Sequence, residues 1–207
     1  VALGRLLCMP NTRETEEARH RKQLYRQQAS RQQTVRSGAD YPALMRTLEL
    51  KAIVGPAGKT DLDRVAELVQ RTNQFNTTTI RYGRHELDGL LRSDDARLVV
   101  GELSDKFGAL GLVCVAVLRL TEAEVLIESF VMSCRAMGFG MEQVMLAYIV
   151  RHTAGRPLIG RFVPSGRNEP SASVFAKAGF GPVEEGQWLL PAGKQLPMPE
   201  WISVVER

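Results

Sequence analysis

Three cysteines in 207 residues (Cys8, Cys114 and Cys134) are too few and too odd in number for a disulfide framework. No CxxC pair offers a metal clamp, so no metal is expected. Such sparse cysteine use suits a reducing cytosol, and a cytoplasmic location is expected. No apolar run approaches the roughly 18 to 20 residues that a membrane span requires. The opening "VALGRLLCMPNTRE" makes a poor secretory leader, because its apolar stretch is short and broken by Arg5. Its abrupt start suggests a piece of a longer chain. The net charge of +4 is unevenly placed. Residues 1–48 hold nine Lys or Arg against four Asp or Glu, a balance of +5, and the rest hold 18 against 19, a balance of −1. A nucleic-acid surface would show basic residues clustered with aromatics on the folded part, and that pattern is missing.

What remains is ordinary globular composition, 44% apolar and 24% charged, enough to bury a core. Residues 1–48 read as a connector from an upstream domain. "NTRETEEARHRKQLYRQQASRQQTVRS" is a polar helix, acidic in its early turns and basic later, as the macrodipole favours. "SGADYPALMRTLEL" carries turn signals and a short helix and reads as the end of the linker. From residue 49 the texture changes. "LKAIVGPAG" is a strand, and "KTDLDRVAELVQRTN" is an amphipathic helix with Leu62, Val65, Leu68 and Val69 at helical spacing. "RHELDGLLRS" is a short helix. "ARLVVGELS", "GALGLVCVAVLRL" and "EAEVLIESFVMS" are strands, the first two joined by "DKFG". A helix to about Thr153, a strand at "RPLIGRFVPS", a helix at "NEPSASVFAKAG" and a late strand at "FGPVEEGQWLLP" complete residues 49–207. That order predicts an α+β domain, a mixed sheet in a three-layer α/β/α arrangement.

"RAMGFG" has the form R-x-x-G-x-G at Arg135, Gly138 and Gly140. Between a strand and a helix, such glycines let the backbone approach a ligand, and the first amides of the helix face an anion. A plain glycine turn would look the same. A second element, "NEPSASVFAKAGF" from Asn168 to Phe180, follows one helix and one strand later. Together the two resemble the signatures of the GNAT superfamily of acyl-CoA-dependent N-acetyltransferases. The resemblance implies that the loop binds the pyrophosphate of CoA or the phosphate of a pantetheine arm, and that the arm lies along the strand before it, Ile127 to Ser133. It makes Val131, Ser133, Arg135, Gly138, Phe139, Gly140 and Asn168 the cofactor-binding residues, with Asn168 and Phe175 flanking the thiol.

"LVQRTNQFNTTTIRYGRHEL", "SFVMSCRAMGFGME" and "GRFVPSGRNEP" show a closer resemblance, over about Glu49 to Phe180, to the C-terminal half of FkbH-like proteins of polyketide pathways. It implies transfer of a glyceryl or related three-carbon hydroxyacyl unit. The donor would be an acyl phosphate such as 1,3-bisphosphoglycerate, and the acceptor the phosphopantetheine thiol of an acyl carrier protein. An upstream phosphatase half of the haloacid-dehalogenase (HAD) type is also implied, but no D-x-D-x-T motif occurs in this chain. A smaller departure is Thr77, where the family leads one to expect an apolar residue. Free-standing acetyl-CoA-dependent N-acetylation and non-catalytic docking of a carrier protein stay open as alternatives.

Cys134 is the candidate nucleophile. A thiol beside Arg135 and near a helix start is expected to favour the thiolate, which could carry an acyl group. Otherwise it is a small buried residue. Cys114, in an apolar strand, reads as core. No His–Cys dyad is found: His152 lies twelve positions beyond Gly140 on the predicted helix, roughly 18 Å away. Asn73, Gln74, Asn76, Thr78 and Arg81 read as a polar wall for the hydroxyls or phosphate of an acyl donor, or as a loop satisfying its own backbone. Tyr82 could serve as a general acid. Phe175 stands where many GNAT enzymes place a tyrosine.

Overall fold

A computed structural model of the chain describes residues 41–153 and 155–207. The charged connector segment, with Cys8 and His20, lies outside the described residues. Among the described residues there are eight strands: β1 (Leu50–Pro56), β2 (Ala96–Asp105), β3 (Gly108–Leu120), β4 (Val125–Met132), β5 (Leu158–Arg161), β6 (Gly181–Glu184), β7 (Gln187–Leu190) and β8 (Ile202–Glu206). They form one sheet in the order β6-β7-β5-β4-β3-β2-β1-β8. The pairs β4–β5 and β1–β8 are parallel and the others antiparallel, so the sheet is mixed, as expected. The late strand read as one element is a hairpin, β6–β7, turning at Gly186 with φ +72°. β8 had no counterpart in the sequence reading. It is a short terminal run beside β1.

Helices cover both faces. The helix α1 (Tyr41–Arg46) comes from the stretch read as the linker's end, yet Leu44, Met45 and Leu48 are buried in the main core. α2 (Leu62–Arg71) and α3 (Arg84–Arg92) bury the leucines and valines of one stripe each against one face of the sheet. The turns leading into them are fastened by acids: the Asp61 carboxylate accepts from the Gly58 amide at 2.7 Å, and Glu86 accepts from Gly83 at 2.6 Å. α4 (Met141–Arg151) is apolar nearly all round and fills the other face with the four-residue α5 (Val174–Lys177). α4 can settle because β2 carries Gly101 beneath it. A side chain there would run into Met141 and Met145.

The sheet is interrupted where the site would form. β4 bulges at Glu128, since Val117 pairs Ser129 while Leu118 pairs Ile127. β5 pairs only with Val125, Leu126 and Ile127 of β4. Beyond that bulge β4 and β5 part, leaving a wedge.

Candidate functional site

Two features meet at the C-terminal end of β4, the wedge and a cavity. The wedge is filled by the chain itself. Residues 75–77, from the "QFN" and first "T" of the polar loop, lie against the free edge of β4 as an antiparallel bridge, Asn76 opposite Val131. The Met132 amide donates to the Phe75 carbonyl at 2.9 Å, and the Thr77 amide donates to the Phe130 carbonyl at 3.1 Å. The Phe130 amide donates to Thr77 Oγ1 at 3.0 Å. On its other side Thr77 accepts from the Val163 amide at 2.7 Å, just past β5. Thr77 thus joins both walls of the wedge. A hydroxyl, rather than an apolar side chain, is what the Phe130 amide requires there.

Asn168 holds this arrangement from outside. Its Nδ2 donates to the carbonyls of Asn76 at 2.8 Å and Val163 at 2.9 Å, and its Oδ1 accepts from the Ser165 amide at 2.9 Å. Phe75 stacks edge-on to Phe130, ring centroids 5.8 Å apart. Asn76, Thr77 and Asn168 are almost wholly buried. Asn76 Oδ1 receives the Thr79 amide at 2.8 Å and turns the chain sharply, with Thr79 at φ +59°. Each such bond contributes about 1 kcal/mol net, and more is lost when its partner is stranded in the interior.

The cavity, of about 630 Å³, opens on the α2 side. Arg64, Glu67, Leu68 and Arg71 of α2, then Thr72, Asn73 and Gln74, face Ser133, Cys134 and Arg135 across it. Cys134 is exposed, whereas Cys114 is buried in β3. Burial, with Glu142 adding to it, pushes the Cys114 thiol well above its usual range, so it stays protonated. Glu67 accepts from both Arg64 and Arg71 at 2.6 Å, and these bonds hold its carboxyl below the ordinary range. Ser133 Oγ lies 3.4 Å from the Arg135 amide and 3.5 Å from its Nε, so it orients that side chain. Three arginines against one glutamate leave the lining cationic, suited to phosphate or carboxylate.

The glycine loop has the backbone its residues imply: Gly138 at φ +79° and Gly140 at φ +93°, the latter opening α4. Its carbonyls are engaged. The Tyr41 hydroxyl donates to Gly138 O at 2.7 Å, and Trp201 Nε1 donates to Phe139 O at 2.9 Å. A side chain at Gly140 would crowd Pro199 and Trp201.

The sequence-chosen residues therefore divide. Asn73, Gln74, Ser133, Cys134 and Arg135 come together at the cavity. Asn76, Val131 and Asn168 are built into the wedge, with buried Thr78 following it. Arg81 is turned inward: its guanidinium donates to the Thr72 carbonyl at 2.7 Å, to Val69 O and to Asn73 Oδ1, closing the end of α2. Phe175 is core, its ring lying on Gly160. Tyr82 donates to Glu128 at 2.7 Å, and burial, reinforced by that bond, drives its phenol far above the usual range. His85 is the second residue of α3, and His152 follows α4 and faces Glu206 at 3.3 Å; neither lines the cavity. Arg64 and Arg71 were missed as site residues, because on an amphipathic helix they read as a solvated face. Among the described residues no cluster of His, Cys, Asp or Glu could hold a metal ion, and no helix is long and apolar enough to cross a membrane.

The edge on which the resemblance places a pantetheine arm is thus already paired. A CoA arm running along Phe130 to Met132 does not fit the residues as they stand, since its amides would compete with Phe75 and Thr77 for the same groups.

No family profile matches the chain, and no curated protein matches it. Among solved structures it is similar to a domain from Methanocaldococcus jannaschii, with a TM-score of 0.53, 11% identity, and coverage of 68% of this chain and 97% of that one. It is also similar to the ribosomal-protein-S18-alanine N-acetyltransferase of Escherichia coli, with a TM-score of 0.49, 12% identity, and coverage of 67% and 88%. A spermidine N-acetyltransferase from Vibrio cholerae gives a TM-score of 0.46, 13% identity, and coverage of 67% and 81%. The fold is GNAT-like: a bulged β4, a parallel partner that parts from it, and a glycine loop opening a helix.

Proposed function

We propose that the chain is an acyltransferase in which Cys134 carries a small hydroxyacyl unit and passes it to the phosphopantetheine thiol of an acyl carrier protein. The observation that carries this reading is the exposed Cys134 at a cationic cavity of about 630 Å³. Arg64, Arg71 and Arg135 suit the phosphate of an acyl-phosphate donor such as 1,3-bisphosphoglycerate, and Asn73 and Gln74 suit hydroxyls of a glyceryl unit. The Cys134 thiolate attacks the acyl carbonyl, the carbon–oxygen bond to phosphate breaks, and phosphate leaves with its electron pair. The carrier thiol then attacks the thioester carbonyl, takes the acyl group and returns Cys134 to its free form. A HAD-type phosphatase domain upstream, as the resemblance implies, would trim the donor.

The test is intact mass spectrometry of the chain after incubation with acyl phosphate, with the phosphatase partner supplied. A hydroxyacyl adduct mapping to Cys134, lost in Cys134→Ala, supports the reading. Unchanged transfer to carrier protein by Cys134→Ala overturns it. Ordinary amine acetylation from acetyl-CoA is the second reading, favoured by the glycine loop at the start of α4, and it requires residues 75–77 to leave the edge of β4. It predicts acetyl transfer to a small amine with no adduct on Cys134.

A further inference from the structure

The wedge between β4 and β5 is the place where a thioester cofactor would pair with a GNAT-like sheet, and here a segment of the protein occupies it. We infer that residues 75–77 act as a built-in occupant that shuts a pantetheine arm, that of free acyl-CoA included, out of the wedge, with Thr77 and Asn168 as the residues that hold the occupant in place. The inference goes beyond the acyl-transfer reading, because it concerns where a pantetheine arm can lie and holds whether or not Cys134 is acylated.

Three observations converge. The polar groups of β4 that face the wedge at Phe130 and Met132 are paired to Phe75 and Thr77. Thr77 also bonds the far wall through Val163, so the segment fills the gap rather than covering one side. Asn168 spends its whole amide on this arrangement, with two donated bonds and one accepted. An incoming arm would have to break these bonds and expose Phe75, Asn76 and Thr77, all buried. It would regain only the bonds it replaced. A carrier-borne arm reaching Cys134 through the cavity on the α2 side disturbs none of them.

The experiment uses the full chain and two probes, CoA and adenosine 3′,5′-bisphosphate, which lacks the arm. Amide exchange and chemical shifts are followed by NMR. The expected result is that the Phe130 and Met132 amides are protected without ligand and that CoA leaves their shifts unchanged. CoA is also expected to bind no more tightly than the bisphosphate. CoA binding about tenfold or more tightly, with shifts at Phe130 and Met132, would overturn the inference. Thr77→Val keeps shape but removes the acceptor, and it should speed exchange of the Phe130 amide by about tenfold or more. Unchanged exchange in a folded Thr77→Val would remove Thr77 from the role. Neither measurement involves an acyl donor, so failure here is distinct from failure of the Cys134 adduct.

Discussion

The wedge and the cavity are neighbours at one end of β4, yet they are made from opposite materials. The wedge is backbone paired to backbone and roofed by a buried asparagine amide, with only side-chain atoms such as Asn76 Nδ2 and Ser129 Oγ unpaired among the described residues. The cavity is lined by side chains whose charged ends reach solvent, with a free thiol among them. The lesson is that a sheet of this shape can have its strand edge paired while the adjoining helix face stays open. Fold likeness locates the scaffold, and hydrogen-bond pairing then decides which part of it is open.

Four substitutions break or sharpen this contrast. The largest effect is expected on the cavity side: Cys134→Ala abolishes the hydroxyacyl adduct while leaving the urea-unfolding midpoint near that of the parent, because the side chain is exposed. Next comes the wedge: Asn168→Ala strands the buried Asn76 carbonyl and leaves the exposed Val163 carbonyl and Ser165 amide to water, and should cost about 1 to 3 kcal/mol in equilibrium unfolding. Arg71→Ala should raise KM for an anionic donor by roughly threefold to tenfold. Its exposed pair with Glu67 contributes little to stability, so the unfolding midpoint should barely move.

The smallest effect is expected from Glu142, in the first turn of α4. Burial pushes its carboxyl above the ordinary value, a backbone hydrogen bond and then Lys177 offset this only in part, and Oε2 has no hydrogen-bond partner among the described residues. A carboxyl raised in the folded state favours folding while protonated, and that contribution is lost as pH rises through its folded value. Glu142→Gln should therefore stabilise by about 1 kcal/mol at neutral pH, and the gain should vanish below pH 4.5, the ordinary value for this carboxyl. Urea titrations at the two pH values read it directly. A gain of equal size at both would mean that packing, not charge, is responsible.

Much of the scaffold was legible in the sequence, because apolar runs of strand length mark β2, β3 and β4 and a helical period marks α2. The glycine loop was legible because positive φ at Gly138 and Gly140 has few chemical solutions. The wedge was not. A single bridge between Asn76 and Val131 leaves no periodic trace, and asparagines and threonines in a loop look the same whether they await a ligand or satisfy the main chain. Thr77 held the clue, as a hydroxyl where grease was expected. The short helix of α1 was read but its place in the core was not, for a related reason: Leu44, Met45 and Leu48 are too few to announce a core face, although the fold buries all three.

Trp201, its indole nitrogen fastened to the Phe139 carbonyl and its ring edge-on to Tyr41 at 5.4 Å, makes the glycine loop optically visible. With Trp188 replaced by Phe, intrinsic emission would become a single-site gauge of that loop, reporting any phosphate that rearranges it, without a label, in a stopped-flow cuvette.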